Sequence, residues 1–368
     1  MLLLLILVVA ARGAAAQGVP DLPDRVSKPE SDYTYSSYWD PVVLNLLRGN
    51  FSWTLGGPLL AAGQDDPDTV SLRQPTTVQF QGRWHLFLVS GKPGRPRRIE
   101  YVAGEKLETL QEATRTVVDL GKGDVSCPQV FYFQPAKRWF LFFQSFDATR
   151  RPAVRPMFST NEDIGNPRSW TPPKEIQIPY PQFDALWRDF WVICDDEDAY
   201  LFYTTTDGRV YRCRGALGSF PEKWKPPLRA LKGDFVSSAH VYRVKKLRRY
   251  LLVVEAADLH RRYIKAYINS RLDAGWDDLC ASLNKPMAGA ANVRLATPAT
   301  PHWTDSLAEP ELIRDGFDQT QTIDPKSFRM IFSGCTETDR AGKGPGEIAW
   351  KIGIIQQPQK GLMDQFRN

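Results

Sequence analysis

GRWHLFLV (82–89) is the first of five stretches in which a turn or basic cluster runs into a short strand of aromatic and β-branched residues. It recurs as KRWFLFFQ (137–144), EDAYLFYT (197–204), RRYLLVVE (248–255) and SFRMIFSG (327–334). Such runs bounded by turn residues read as strands. Their spacing, about 50 to 60 residues for the first four and longer for the last, is the period of one four-stranded propeller blade. Five units predict an all-β chain folded as a five-bladed β-propeller. In that architecture a site is assembled at the axis, from residues far apart in sequence but similarly placed in successive blades.

The rest of the chain fits this frame. Apolar residues make up 42% and aromatic residues 12%, enough for a large core, and 28 prolines with 26 glycines suit many turns between short strands. The chain opens MLLLLILVVAARGAAAQ, an apolar run too short to span a membrane that ends in small residues at Ala14, Ala15 and Ala16. Residues 1–16 are therefore expected to be a signal peptide, which places the mature chain in a secreted or periplasmic setting. Pro20, Pro23 and Pro29 among charges mark 17–50 as a proline-rich extension. The propeller is expected over 51–358, with 359–368 as a C-terminal tail. No later segment approaches a membrane span, so no membrane partner is expected.

Five cysteines, Cys127, Cys194, Cys213, Cys280 and Cys335, lack the spacing of a zinc site, and their odd number leaves at least one unpaired in a monomer, the expected state. The net charge of +5 gathers in KPGRPRR (92–98), KKLRR (245–249) and the pair Arg261 and Arg262. KKLRR falls where a hairpin turn should be, which favours solvated turn charges over a nucleic-acid surface.

LWRDFWVICDDEDAYLFYTTTDGRVYRC (186–213) alternates strands with acidic turns, and its Asp189 lies between Trp187 and Trp191. An acid is costly to bury there unless it is paired or used, and aromatic neighbours are what a sugar site supplies for stacking. Pairing with Arg188 or capping a turn would account for Asp189 equally well.

WRDFWVICD (187–195), CPQVFYFQPAKRWFLFFQ (127–144), FSTNEDIGNPRSW (158–170), YLLVVEA (250–256), LIRDGFDQTQTIDP (312–325) and AWKIGII (349–355) resemble, in order and spacing, the motifs of glycoside hydrolase family 62. The likeness runs from about Phe51 to about Gln357, and several long collinear motifs make it specific. It implies a five-bladed propeller acting on arabinofuranosyl branches of arabinoxylan or arabinan, an arabinose-bearing plant polysaccharide, with inversion. Inversion needs a general acid on the leaving oxygen and a general base on a water at the opposite face.

Residue by residue, the resemblance implies an altered centre. Asp189 matches the family's acid that orients the substrate and tunes the proton donor. The base lies in a segment like L-K-D-P-T, and this chain has Leu72, Arg73, Gln74, Pro75, Thr76, so Gln74 takes that place beside Arg73, a substrate-binding candidate along with Trp187 and Trp191. The proton donor lies in a segment like F-E-A-S-N-V-Y, which falls on Ser237, or on Val236 with the extra residue placed otherwise. A family tyrosine falls on Pro345, and a histidine lining the axial metal and water site falls on Glu309. A structural calcium on the axis is allowed and no cofactor is required. Asp124, Asp234, Glu309 and His240 are the groups near the mouth that could substitute, although turn aspartates and lone strand histidines are more often structural. Altered hydrolysis and plain carbohydrate binding are the two readings that follow.

Overall fold

The computed structural model describes residues 40–63, 69–179, 186–259, 261–344 and 346–358. Residues 1–16, expected as a signal peptide, most of the expected extension 17–50, the expected tail 359–368 and Pro345 lie outside them. The fold is a five-bladed β-propeller. Blade 1 runs Ser71–Phe80, Arg83–Gly91, Arg98–Gly104 and Thr116–Val117, from inner to outer strand, and blade 2 runs Asp124–Phe133, Arg138–Phe146, Val154–Asn161 and Lys174–Glu175. Blade 3 is Trp187–Cys194, Asp198–Thr205, Arg209–Ala216 and Leu228–Lys232. Blade 4 is Ser237–Val244, Tyr250–Ala257, Arg262–Asn269 and Asp277–Cys280, with Thr322–Ile323 added in parallel at its inner edge.

Blade 5 closes the circle. Its order is Ser306–Leu312, Arg329–Cys335, Lys351–Gln356, then Trp53–Leu55 and Val293–Leu295. The strand Trp53–Leu55, from the start of the domain, pairs antiparallel with Lys351–Gln356 from its end, so the two ends of the domain sit in one sheet. Just upstream, Asp40 caps the helix Pro41–Leu47 by accepting from the Val42 amide, and Val43 and Leu46 are buried with Phe51 and Trp53. This helix lies within 17–50, expected as an extension, and two of its apolar side chains are nevertheless part of the core.

The five sequence repeats are the second strands of the blades. They are apolar along their length because neighbouring blades cover both faces: Arg83–Gly91 is buried at every position from Trp84 to Ser90. Tight turns deliver each second strand back along the first. The hairpin Phe80 to Arg83 turns on Gln81 and Gly82, both at positive φ (49° and 75°), as a two-residue turn matched to strand twist requires. The turn of KKLRR is likewise a hairpin, with the Val244 amide donating to the Arg249 carbonyl and Lys245 paired with Asp315.

All five inner strands share one irregularity. Each slips register across two residues, at 74–75, 127–128, 189–190, 238–239 and 309–310. The first residue of each bulge is left-handed: Gln74 (φ 53°), Cys127 (53°), Asp189 (58°), Ser238 (59°) and Glu309 (51°). None is glycine, and such backbone costs about 1–3 kcal/mol per residue, a strain found preferentially at functional sites. The bulges re-aim one side chain per blade and define a ring around the axis.

Candidate active site

The ring is a hydrogen-bonded circuit. Gln74 spends both ends of its amide on Cys127: Oε1 accepts from the Cys127 backbone N–H (2.9 Å) and Nε2 donates to Sγ (3.0 Å). The Cys127 thiol in turn donates to Asp189 Oδ1 (2.9 Å). Asp189 Oδ2 accepts from the Ser238 amide (3.2 Å) and the Thr204 hydroxyl (3.3 Å), and Arg188 Nε stands 3.8 Å away. Burial, with the Asp189 charge beside it, pushes the Cys127 thiol well above its ordinary range and keeps it protonated as a donor.

Glu309 closes the other side. Its carboxylate takes Arg73 through Nε (3.2 Å) and through a short contact to Nη2, and also accepts from the Gln74 amide (3.1 Å). The Arg73 guanidinium lies 4.9 Å above the Trp350 ring. This bears on the expected axial calcium. A guanidinium already neutralises both oxygens of Glu309, and among the described residues no group of three or more His, Cys, Asp or Glu is placed to hold a metal ion. The donor set does not fit a cation at Glu309.

Ser237 stands one residue before the ring. Its hydroxyl donates to Glu255 Oε2 (2.9 Å), directly across the strand pair. The same oxygen accepts from the Glu309 amide (2.8 Å), and Oε1 accepts from Arg262 (2.9 Å). Burial raises the Glu255 pKa, against the opposing pull of Arg262. Sequence reading missed both Glu255 and Cys127. An acid closing an apolar strand run was the available signal for the first, and a Cys-Pro step inside a strand for the second.

Thus the structure brings Gln74, Asp189, Arg73, Glu309 and Ser237 to one end of the axis. It does not do so for the two tryptophans. Trp187 is buried, donates Nε1 to the Val154 carbonyl (2.9 Å) and packs edge-on against Phe190 and Tyr203. Trp191 is buried too, with Nε1 on the Val241 carbonyl (2.9 Å) and its face on His240 at 4.1 Å. Neither ring offers a face to a sugar. Both fill spaces between blades, which corrects the expectation that they bind substrate.

The other candidate groups have structural work. Asp124 accepts from the backbone N–H of Arg97 (2.9 Å) and from its guanidinium (2.7 Å), pinning the turn of blade 1 to blade 2. Asp234 neutralises the buried Lys265 ammonium, which depresses its pKa. His240 belongs to a second inner ring beneath the first, with Thr76, Gln129, Trp191 and Glu311, each two residues beyond the left-handed position. Below it Arg314 is buried and donates to the carbonyls of Val130 and Thr77 and to Glu311 and Gln321. The axis under the mouth is packed.

Desolvation holds the His240 pKa down at about 3, against about 6.5 in an unfolded chain. Between those values the unfolded chain takes up a proton that the folded chain refuses. Stability should therefore be complete above pH 6.5 and fall as pH drops toward 3, by up to about 1.4 kcal/mol per pH unit from this group. Chemical denaturation at pH 7 and pH 4 should show a smaller gap in His240→Gln than in the parent; an equal gap would mean that His240 titrates normally.

The pattern of Glycosyl hydrolase family 62 matches residues 52–356. The chain belongs to that family. Alpha-L-arabinofuranosidase C of Cellvibrio japonicus is 29% identical over 321 residues, which cover 84% of this chain and 48% of that protein, so this family 62 chain spans about half the length of that relative. Among solved structures, the catalytic domain of a Coprinopsis cinerea GH62 α-L-arabinofuranosidase is 30% identical with a TM-score of 0.77, covering 84% of this chain and 98% of that one. An α-L-arabinofuranosidase of Podospora anserina in complex with cellotriose is 29% identical with a TM-score of 0.76, covering 85% and 98%.

Proposed function

We propose that this family 62 protein is secreted and receives arabinofuranosyl branches of a plant polysaccharide, arabinoxylan or arabinan, at the ring, with hydrolysis strongly impaired. Gln74 carries the argument. The resemblance gives its position to the general base, and both ends of its amide are committed to Cys127. An amide can orient a water but cannot take its proton, and Ser237, at the position of the acid, is a hydroxyl that cannot protonate a glycosidic oxygen at useful rates. Loss of a general acid or base costs about 10²- to 10⁴-fold each.

What remains suits recognition. Asp189 can accept from sugar hydroxyls, and Arg73 and Arg188, with side chains 31% and 39% exposed, supply donors beside it. Binding without turnover is the expected outcome. Calorimetric titration of arabino-oligosaccharides should show binding to the parent and an affinity lower by about 1–3 kcal/mol in Asp189→Asn, from loss of charge-assisted hydrogen bonds. Equal affinity in the two proteins would place the sugar elsewhere.

A further inference from the structure

A cavity of about 560 Å³ opens at the other end of the inner strands, between blades 1 and 2. Phe80 and Arg83 flank the first hairpin turn, six residues beyond Gln74, so it lies about 20 Å from the ring at the usual rise of a strand. Its volume is that of an ordinary small-molecule pocket, roughly 300–1,000 Å³. Arg83, His85, Tyr101, Thr116 and Asp163 line it, with Phe80 at its wall. No step proposed for the ring uses any of them.

The polar groups are organised. The His85 pKa is lowered by burial, so the imidazole is neutral, and its Nδ1 lies 2.8 Å from the Tyr101 hydroxyl, donor or acceptor according to the tautomer. Tyr101 lines the cavity, and its hydroxyl keeps hydrogen-bonding capacity beyond the one bond to His85. Burial pushes its pKa up to about 12, so it stays a neutral phenol. Arg83 and Asp163 both act electrostatically on His85 and Tyr101, which sets a cation and a carboxylate around the same space. An anion would meet Asp163 and a cation would meet Arg83. A neutral ligand with many hydroxyls, each donor and acceptor, satisfies both, and Phe80, packed edge-on with Trp139 and Phe317, adds apolar surface to the wall.

We infer that this cavity is a second carbohydrate site, taking a neutral pentose or hexose unit of an oligosaccharide independently of the ring. Two sites at opposite ends of the propeller let one molecule hold two polysaccharide strands, or two places on one, and raise retention without any new contact at the ring. The inference does not depend on whether the ring hydrolyses or binds.

Xylotriose titrated calorimetrically into the parent, Arg83→Ala, Tyr101→Phe and Asp189→Asn tests it. Asp189→Asn should retain the cavity event, while Arg83→Ala and Tyr101→Phe, checked for native circular dichroism, should weaken that event about tenfold or more. Loss of binding only in Asp189→Asn, or isotherms of Arg83→Ala and Tyr101→Phe that match the parent, would overturn the second site while leaving the ring reading intact. Binding in Asp189→Asn that Arg83→Ala removes would uphold it even if the ring proved empty.

Discussion

Gln74→Asp combined with Ser237→Glu is expected to raise arabinose release from arabinoxylan by about 10²-fold or more over the parent, the lower end of what one general acid or base contributes. Both changes suit their surroundings. Gln74 sits at φ 53°, a conformation that aspartate tolerates better than most residues, and the shorter side chain withdraws from Cys127 to leave room for a water. A carboxyl at position 237 would face Glu255, now 2.9 Å from the Ser237 hydroxyl, and a neighbouring carboxylate raises the pKa of a second acid toward the range a proton donor needs. Val236→Glu in place of Ser237→Glu covers the other placement of the extra residue. Release assays on the folded double variants decide the matter: no gain in either would show that the pocket, beyond its two missing groups, has diverged.

Arg314→Met should be the most damaging single change for stability, by about 3–5 kcal/mol, because it leaves Glu311 as an uncompensated carboxylate in the packed axis. Both side chains are at most 1% exposed. The guanidinium also satisfies the Val130 and Thr77 carbonyls, which joins blade 5 to blades 2 and 1. Burial already raises the Glu311 pKa, and without Arg314 the group would fold best as the neutral acid, so the variant should lose less at low pH than at neutral pH. Denaturant midpoints at pH 4.5 and pH 7.5 measure this. A loss below about 1 kcal/mol at pH 7.5 would mean the axis relaxes to admit water around Glu311.

The propeller was legible because every blade repeats one apolar strand that neighbouring sheets cover on both faces. The axial end was legible in part. Gln74, Cys127 and Glu309 each precede a proline inside an inner strand, which signals a bulge, whereas the bulges at Asp189 and Ser238 carry no such mark. The bulge at Asp189 and Phe190 also explains the misreading of Trp187 and Trp191. One inserted residue, two on this strand against one on its partner, breaks the alternation by which a strand's inward and outward faces are told apart, and both rings turn into the spaces between blades. Glu255 was hidden because its role depends on strand register: it lies opposite Ser237 only once the second strand of blade 4 is paired with the first.

Arabinose release by the unaltered protein, incubated with arabinoxylan at high loading, tests the central claim most directly. With an amide at Gln74 and a hydroxyl at Ser237, release should stay near the uncatalysed background although the polysaccharide binds. Turnover in the ordinary enzymatic range of about 1–10³ s⁻¹, abolished by Asp189→Asn, would contradict it and show that other groups at the ring have taken over the acid and the base.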